Sequence, residues 1–398
     1  MAVRRPLGRV VVIGGGFGGA TAAKYLRMWS GGAVEVVLVE RNAAFVSCPM
    51  SNLVLGGTRT MGDITLGFDG LARHGVQLRR GDVVAVDPQK RTVRLHGGDQ
   101  LPYDRLILSP GVDFSFEQIE GYGPGAQDAV LHAWKAGPQT VALRRRLEAM
   151  RDGGVYLLAI PRAPYRCPPG PYERACQVAS YFQRAKPRSK VIVLDANEDV
   201  VSKGPLFKAA WRELYGGMVE YRASSEVKGV DAAGSTVRTD FETMRGDVLN
   251  VLPPMRAADI ARATGLVNAN NRWCAVDWLS MESTAHPGIH VLGDATLAAS
   301  AMPKSGHMAN QHAKLAAAAI LELLQGRQPG SEAVIANTCY SFVSDREAVH
   351  VASVHRYDPV HKTLLPVSGS GGVSDRRSEQ EGDYAQAWAR NIWNDMLA

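Results

Sequence analysis

The sequence has 398 residues, of which 45% are hydrophobic and 21% are charged, and its formal net charge is +6. That length exceeds what one hydrophobic core usually organises, so we expect two or three domains that can enclose a large cofactor. No run of about 18 uncharged apolar residues is present, so we expect no transmembrane anchor. The positive charge is spread along the chain, which argues against nucleic acid as a partner.

Cysteine usage narrows the chemistry further. The five cysteines are too sparse for a disulfide scaffold and include no C-x-x-C pair of the zinc-site kind, so we expect no metal site. The basic stretch at residues 1–12 runs into a strand without the apolar segment of an export signal, and Arg4 and Arg5 lack the segment that follows a twin-arginine pair. The protein is therefore either cytoplasmic or a mature form without its signal.

The predicted elements begin with a β-α-β unit. Residues 9–13 form a buried strand, 14–19 a tight glycine turn, 20–29 a helix and 34–39 a second strand. This order is the start of a doubly wound α/β sheet. We therefore expect a first dinucleotide-binding domain at the beginning of the chain.

Further along, strands and helices alternate as in a second nucleotide-fold domain inserted into the first. In that inserted domain we expect a helix at 141–150 and strands at 155–160 and 191–195. The first domain is expected to hold strands at 83–86, 92–95 and 103–109 before the insertion and, after it, a strand from 289 that ends in Gly293 and Asp294 and a helix at 306–324. A final helix at 384–396 is expected in the tail. The predicted domains are 1–112 together with 258–325, then 113–257, and a C-terminal interface domain at 326–398.

The glycine turn has the chemistry of a dinucleotide site. Gly14, Gly16 and Gly19 match G-x-G-x-x-G: the first permits the turn, the second lets backbone approach a pyrophosphate, and the third lets helix pack on strand. Glu40 ends the second strand, where a carboxylate would bind a ribose 2′-hydroxyl and disfavour NADP, and we include the adjacent Arg41 in the site. Glycine turns also serve packing alone, so the motif depends on its context.

A second motif favours FAD over NAD. Gly293–Asp294 follows a buried strand near the end of the chain, as in flavoproteins with two dinucleotide-binding domains, in which the aspartate holds the ribityl chain. The alternative is a strand-end turn in which Asp294 caps a helix. Residues 161–171 are proline-rich where NADH-dependent relatives repeat the glycine motif, and proline removes N–H donors, so we expect no nicotinamide cofactor.

Three cysteine segments carry a family resemblance. Most isolated cysteines are buried small hydrophobes, which is our interpretation of Cys176 and Cys274. The other three lie in distinctive segments, and the chain resembles, from end to end, the flavoprotein subunits of flavocytochrome c sulfide dehydrogenase, which are relatives of the sulfide:quinone reductases. The residues that carry the resemblance are Gly14 to Gly19, Cys48-Pro49-Met50-Ser51-Asn52, Cys167 to Arg174, Gly293-Asp294, Pro303-Lys304-Ser305 and Cys339.

The resemblance implies an α/β fold with two Rossmann-like dinucleotide-binding domains, as in glutathione reductase, plus a smaller α+β C-terminal domain. It implies FAD joined to Cys48 by a thioether at the flavin 8α-methyl group, and a redox-active disulfide between Cys167 and Cys339. HS⁻ would attack one sulfur of that pair and leave a persulfide and a thiolate, and the products would be sulfur or polysulfide and reduced flavin. By the same resemblance Cys339 faces the flavin.

Two charged residues are candidates for supporting roles. Glu173 resembles the family's acid near the disulfide and would manage protons, the alternative being an exposed helix residue. Lys304, next to a helix start, would place positive charge and N–H dipoles near the flavin N1–C2=O edge. The alternative for Lys304 is a surface residue before a helix.

The resemblance also implies a c-type cytochrome subunit as heterodimer partner, with haem only on that subunit, and a periplasmic location. The charged segment 375–383 and the final helix with Arg390 and Asp395 argue against the membrane-docking element of a quinone reductase. Trp388 and Trp393 are expected near the flavin or an interface, or in ordinary core packing. Two alternatives stay open: a sulfide:quinone reductase, and a redox accessory flavoprotein without sulfide turnover of its own.

Overall fold

The computed structural model describes residues 6–398, so the predicted basic start with Arg4 and Arg5 lies outside the described residues. The helices within that range are α1 (Phe17–Trp29), α2 (Ser51–Gly56), α3 (Asp69–Arg73), α4 (Pro138–Ala149), α5 (Gly170–Ala185), α6 (Gly204–Tyr215), α7 (Asp259–Ala263), α8 (Gly306–Leu324) and α9 (Glu379–Leu397). No helix among residues 6–398 combines the length and the apolar character needed to cross a membrane.

The strands between these helices fall into several sheets. In chain order they are β1 (Gly8–Ile13), β2 (Val34–Glu40), β3 (Phe45–Val46), β4 (Thr65–Leu66), β5 (Gln77–Arg80), β6 (Val83–Asp87), β7 (Thr92–Leu95), β8 (Gln100–Pro102), β9 (Arg105–Leu108), β10 (Val112–Phe114), β11 (Val155–Ile160), β12 (Lys190–Asp195), β13 (Val219–Arg222), β14 (Gly229–Asp231), β15 (Thr236–Arg238), β16 (Thr243–Arg245), β17 (Val248–Val251), β18 (Met255–Ala257), β19 (Ile289–Val291), β20 (Val334–Phe342), β21 (Ala348–Asp358), β22 (Thr363–Pro366) and β23 (Gly372–Val373).

The first sheet is parallel, with the strand order β19-β9-β1-β2-β5. Its central strand β1 is a continuous apolar run in which Val10, Val11 and Val12 are fully buried, as expected for a strand covered on both faces. The carboxyl ends of these strands meet at one edge, and this brings the turn after β1 next to the turn after β19. In doubly wound sheets that edge is where ligands bind.

The second sheet is also parallel, with the order β13-β12-β11-β17. The chain enters and leaves this layer through β10 and β18, which pair antiparallel with Val112 opposite Ala257. The two connecting strands β10 and β18 lie next to the predicted domain limits at 112 and 257. The limits themselves stay a prediction.

The C-terminal unit is an antiparallel sheet of β20, β21 and β22, with β23 paired to β21. A small apolar cluster of Leu53, Phe342, Ala348 and Ala385 joins this sheet and α9 to α2. The predicted fold class is confirmed, because two Rossmann-like layers and a smaller C-terminal layer are all present. The cluster also fixes the C-terminal sheet over the ligand-binding edge of the first sheet.

Two helices begin earlier than the sequence predicted. α1 begins at Phe17 rather than at 20, because the Ala20 N–H already donates to the Gly16 carbonyl oxygen at 3.0 Å. α9 begins at Glu379 rather than at 384, because the Ser378 side chain accepts a hydrogen bond from the backbone N–H three residues later. The final helix is therefore longer than predicted, and its charged first turn is a capped helix start.

Candidate active site

A cavity of about 1050 Å³ lies where the ligand-binding edge of the first sheet meets the second domain and the C-terminal sheet. Its volume is slightly above the roughly 300–1,000 Å³ of small-molecule sites, which suits a ligand of dinucleotide size. The predicted site residues that line it are Gly14, Gly16, Glu40, Arg41, Cys48, Cys167, Glu173, Gly293, Asp294 and Cys339.

The glycine turn forms one wall of the cavity. Gly14 has a φ of +95°, and a Cβ atom at Gly19 would lie 1.8 Å from the Gly14 carbonyl oxygen, so both positions require glycine. A Cβ atom at Gly16 would meet nothing within 4 Å, because that position faces the open cavity. The Gly16 backbone and the start of α1 are therefore free to approach a pyrophosphate.

The carboxylate of Glu40 holds this turn in place. Its Oε2 accepts a hydrogen bond from the Gly15 N–H at 2.7 Å, and its Oε1 accepts one from the Asn42 backbone N–H at 2.8 Å. Glu40 thus stands beside the turn, where the sequence predicted a ribose-binding acid. Arg41 lies at the cavity margin and pairs with Asp82 at 3.0 Å, so its guanidinium is engaged at the protein surface.

Asp294 lines the cavity and carries a side-chain oxygen without a hydrogen-bond partner among residues 6–398. Its Oδ1 is buried and accepts no hydrogen bond from residues 6–398, and burial raises the pKa of the carboxyl. Gly293 beside it has a φ of +68°, and a Cβ atom there would lie 2.9 Å from the Ala309 Cβ atom, so the backbone passes close to α8. A buried carboxylate oxygen without a protein donor fits a ligand hydroxyl such as those of a ribityl chain. The glycine turn and Asp294 together fit FAD.

Cys48 lies just before α2, on the cavity wall. Its Sγ accepts a hydrogen bond from the Ala136 N–H at 3.5 Å, and its carbonyl oxygen accepts one from the Ser51 hydroxyl at 2.6 Å. The thiol is half-buried and borders the cavity. A ligand in the cavity can therefore reach this sulfur.

Cys167 occupies the turn between β11 and α5. Its φ is +59°, its N–H donates to the Lys304 carbonyl oxygen at 2.8 Å, and its carbonyl oxygen accepts from the Gly170 N–H at 2.9 Å. A Cβ atom at Gly170 would lie 2.8 Å from the Cys167 Sγ atom, so the sulfur packs directly over the first residue of α5. These contacts fix the thiol at the cavity wall.

Cys339 reaches the same cavity from β20 of the C-terminal sheet. Its Sγ accepts a hydrogen bond from the Asn337 side-chain amide at 3.3 Å. The cysteines carry free thiols in this structure, so the pairing of Cys167 with Cys339 stays a prediction. Cys176 and Cys274 are fully buried in the core and do not line the cavity.

Glu173 connects the three cysteine segments. It lies in the first turn of α5, after Cys167; its Oε2 accepts from the Asn52 side-chain amide of the Cys48 segment at 2.8 Å, and its Oε1 accepts from the Phe342 N–H of the Cys339 strand at 2.8 Å. The alternative of an exposed helix residue is therefore wrong. The carboxylate is an interior group at the junction of the cavity walls.

Burial is the largest influence on the pKa values of the ionisable groups at this junction. It raises the pKa values of Glu173, Cys167 and Cys339. After burial, the strongest influences on the pKa of Cys167 are Cys339 and Glu173, which raise it further, whereas for Cys339 the strongest is Lys203, which lowers it. The two sulfurs therefore lie in electrostatically different surroundings.

Three family models match different parts of the chain. Residues 140–253 match the model described as "Sulfide dehydrogenase [flavocytochrome c] flavoprotein chain, central", and residues 331–397 match "Flavocytochrome c sulphide dehydrogenase, flavin-binding". Residues 8–148 match the pyridine nucleotide-disulphide oxidoreductase model. The flavocytochrome c sulfide dehydrogenase flavoprotein chain of Chlorobaculum thiosulfatiphilum is 61% identical over 46 residues, which make up 12% of this chain and 94% of that sequence. The chain belongs to this family of sulfide dehydrogenase flavoproteins.

More distant relatives agree with that assignment. Mouse mitochondrial sulfide:quinone oxidoreductase is 23% identical over 315 residues, which cover 72% of this chain and 65% of that protein. The corresponding Dictyostelium discoideum protein is 22% identical and is also covered over 65% of its length, so the chain spans just under two thirds of these relatives. The sulfide:quinone oxidoreductase structure from Aquifex aeolicus superposes with a TM-score of 0.80 at 18% identity, covering 98% of this chain and 91% of that one. At that identity the likeness shows the fold.

In this flavoprotein the side chain of Lys304 lies elsewhere than predicted. It is 5% exposed and lies behind the cavity wall, where its Nζ donates to the Asp294 carbonyl oxygen at 3.0 Å and lies 3.7 Å from the centre of the Trp273 ring. Carbonyl oxygens and an aromatic face compensate the buried ammonium, and burial lowers its pKa to about 8. The alternative of a surface residue is therefore wrong, and Lys304 does not line the cavity in which we expect the flavin. The start of α8 faces the cavity instead, through Ser305 and Gly306.

Three polar residues of the site were missed from the sequence. Asn52 bridges Glu173 and Arg174, because its Oδ1 accepts from the Arg174 Nε at 3.0 Å. Arg174 is 1% exposed and donates to the backbone of His132 at 2.9 Å. Lys203 is 6% exposed and contacts the Cys339 strand. Asn52 and Arg174 stand in the segments that carry the family resemblance, which was a usable signal, whereas nothing in the pattern around Lys203 marked it.

The two C-terminal tryptophans differ in position. Trp388 of α9 lines the cavity, which agrees with its expected place near the flavin site. Trp393 is partly buried, and its indole N–H donates to the Ser47 hydroxyl at 3.1 Å, next to Cys48. The last helix therefore closes the Cys48 side of the cavity.

Proposed function

We propose that this chain is the flavoprotein subunit of a sulfide dehydrogenase. It binds FAD in the cavity, carries it on Cys48, oxidises HS⁻ at a disulfide of Cys167 and Cys339, and delivers electrons to a c-type cytochrome subunit. The observation that carries the proposal is that these three cysteines line one cavity with the glycine turn and the unpartnered Asp294 oxygen.

The cysteine pair would carry the sulfur chemistry. HS⁻ forms a bond to one sulfur of the disulfide, the S–S bond breaks, and the products are a cysteine persulfide and a thiolate on the other cysteine. A second HS⁻ removes the outer sulfur as HSS⁻ and leaves one thiol and one thiolate. Two electrons and the thiol proton must then leave for the disulfide to re-form. When bound, FAD would supply the acceptor for those two electrons and the chemistry by which they can leave one at a time to a haem.

Residues of this chain would support that sequence in separate places. The Gly16 backbone and Asp294 hold the pyrophosphate and the ribityl chain, and a thioether at Cys48 retains the cofactor during turnover. Glu173 lies in the same cavity as the two sulfurs, and burial raises its pKa, which makes the carboxylate a stronger base for the thiol proton. The Asn52 and Phe342 contacts orient that carboxylate.

The acceptor and the location rest on the family. Its members include the flavoprotein chain of a flavocytochrome c, and a c-type cytochrome in the periplasm is the electron acceptor and the partner that we propose. A sulfide:quinone reductase is the competing enzyme, and a redox accessory protein is the competing non-enzyme. Sulfide-dependent reduction of cytochrome c, run against decylubiquinone under the same conditions, separates them. Faster reduction of the quinone, or no turnover with either acceptor, contradicts the proposal.

Attachment of the flavin is tested without turnover. The purified holoprotein is denatured in acid, and the yellow colour is followed into pellet or supernatant. We expect the flavin to stay with the polypeptide and to map to the peptide that contains Cys48. Free FAD with an unmodified Cys48 peptide would contradict the thioether, and Cys48→Ala provides the matched control, because its flavin should be released.

A further inference from the structure

Lys203 is a buried cation at the cysteine junction. It precedes α6 with a φ of +57° and is 6% exposed, although lysine is rarely buried to this degree without a partner. Its Nζ donates to the Cys339 carbonyl oxygen at 3.0 Å and to the Ser341 hydroxyl at 2.7 Å. Both acceptors are neutral and both belong to β20, so these contacts place the charge beside the Cys339 strand without neutralising it.

The charged and titratable groups that face Lys203 come from several elements. They are Cys339 of β20, Glu173 of α5, Cys167 of the turn before α5, and Glu381 of α9. Burial lowers the pKa of Lys203 to about 8, and these groups raise it in part. The ammonium form at neutral pH is thus favoured by negative charge on this same set of groups, two of which are the reactive sulfurs.

The surroundings of the two sulfurs are unequal. Cys339 has the Asn337 amide at 3.3 Å from its Sγ, and Lys203 is the strongest influence that lowers its pKa. For Cys167, the neighbours Cys339 and Glu173 raise the pKa, and each of these effects is larger than the lowering effects of Arg166 and Lys203. The Asn337 amide and the nearby Lys203 ammonium thus both favour a negative charge on Cys339.

We propose that Lys203 directs the chemistry of the pair by stabilising a thiolate on Cys339, so that HS⁻ attacks the sulfur of Cys167. A new S–S bond forms between HS⁻ and Cys167, the Cys167–Cys339 bond breaks, and its electron pair stays on Cys339. Lys203 is a positioning residue in this step, since it acts through Cys339. The sulfide step rests on the proposed function; the charge assignment rests on the contacts of Lys203.

The charge assignment is tested on the reduced holoprotein. Alkylation of Cys339 and Cys167 by iodoacetamide is followed against pH by peptide mass spectrometry. We expect Cys339 to react at lower pH than Cys167, and Lys203→Gln to slow its alkylation at pH 7 by about tenfold or more, since one unit of thiol pKa changes the thiolate fraction about tenfold. Lys203→Arg should keep the wild-type titration, and Lys208→Met, at an exposed lysine in the helix that follows Lys203, serves as the control.

Lys203→Gln separates charge from structure, because the amide can still donate to the Cys339 carbonyl oxygen. An unchanged Cys339 titration in that variant overturns the proposal. If the variants do not fold, the wild-type protein still decides: after one equivalent of sulfide, the trapped persulfide should be on Cys167, and a persulfide on Cys339 overturns the proposal. The two proposals can fail separately. If the protein oxidises no sulfide but Lys203→Gln still shifts the Cys339 titration, the proposed function is contradicted and the charge assignment is supported.

Discussion

The turns after β1 and β11 occupy equivalent places in two similar sheets, but they present opposite surfaces. After β1, Gly16 faces the open cavity and Glu40 at the end of β2 holds the turn through a backbone N–H. At the end of β12, the equivalent carboxylate Asp195 is fully buried, and its Oδ2 accepts hydrogen bonds from the Tyr172 hydroxyl at 2.7 Å and the Tyr221 hydroxyl at 2.9 Å. One turn is open to a phosphate, and the other is filled by protein.

The difference between the two turns shows how the same position in a Rossmann-like sheet can hold either a phosphate-binding backbone or a cysteine. In the turn after β11, prolines replace the glycines and the N–H of Cys167 is committed to the Lys304 carbonyl oxygen. That backbone has few donors left for a pyrophosphate, but it holds a sulfur at the cavity that the first domain builds. The second domain thus contributes a cysteine to the cavity wall instead of a second glycine turn.

The largest expected effect comes from removing the sulfur that this second turn holds. Cys167→Ser leaves no disulfide for HS⁻ to attack, so flavin reduction by sulfide should fall by roughly 10⁴-fold, the scale seen when a member of a catalytic unit is removed. Stopped-flow spectroscopy of the holoprotein measures this rate. FAD content should be unchanged, because the glycine turn, Cys48 and Asp294, which we propose hold the cofactor, are not altered.

Cys274→Ala is the matched control for that variant, since Cys274 is fully buried away from the cavity. It should keep the wild-type rate. Equal rates for Cys167→Ser and the wild type would show that sulfide reduces the flavin without the cysteine pair.

Glu173→Gln should give the second-largest effect. Burial raises the pKa of this carboxyl, so the base form is lost as pH falls through the raised value, and sulfide-dependent flavin reduction should decline on the acid side. The variant should be slower by about 10²-fold, the lower end of general-base contributions, and should lose that acid limb. The pH profile at saturating sulfide measures both.

Glu198→Gln, at an exposed position outside the cavity, is the control for this change and should keep the profile. An acid limb that survives in Glu173→Gln would assign the limb to another group. The same result would leave Glu173 as a structural link between the cysteine segments.

Two glycines of the turn after β1 should respond differently to alanine, and both effects should be smaller than those above. Gly16→Ala adds a Cβ atom only to the cavity, so the fold should be kept while FAD affinity falls by about tenfold or more. Gly19→Ala places a Cβ atom against the Gly14 carbonyl oxygen and should lower the free energy of unfolding by roughly 3 kcal/mol. Flavin titration and thermal unfolding measure the pair; equal stability losses would contradict the different roles of the two positions.

The smallest effect concerns the closed turn. Tyr172→Phe removes one donor to Asp195 and should cost about 1 kcal/mol of stability, measured by denaturant unfolding. It should create no oxidation of NADH, since the proline-rich backbone remains. NADH turnover in this variant would mean that the tyrosine contact, and not the turn, keeps a nicotinamide cofactor out.

The sequence predicted the local motifs well, but it did not predict which distant residues contact one another in the folded chain. Gly14, Gly16, Glu40 and the cysteine segments were found because each carries its own pattern, and the helix at Gly306–Leu324 has the predicted bounds. The position of Lys304 was wrong, because a lysine beside a helix start gives no sign of whether its side chain faces the cavity or the core.

Lys203 shows the other limit of sequence reasoning. Its contact with Cys339 joins residues 136 positions apart, and it exists only in the folded chain, where the residue before α6 reaches β20. No spacing pattern encodes such a contact. The interior position of Glu173 likewise depends on Asn52 and Phe342, which come from distant segments.

The central claim is that sulfide delivers its electrons to FAD through the cysteines of this cavity. It is tested most directly by titrating the oxidised holoprotein with sulfide in the absence of oxygen and following the visible flavin absorption. We predict that the wild-type flavin bleaches at stoichiometric sulfide and that Cys339→Ser, with its FAD retained, does not bleach. A wild-type flavin that stays oxidised, or a variant that bleaches equally fast, would contradict the account.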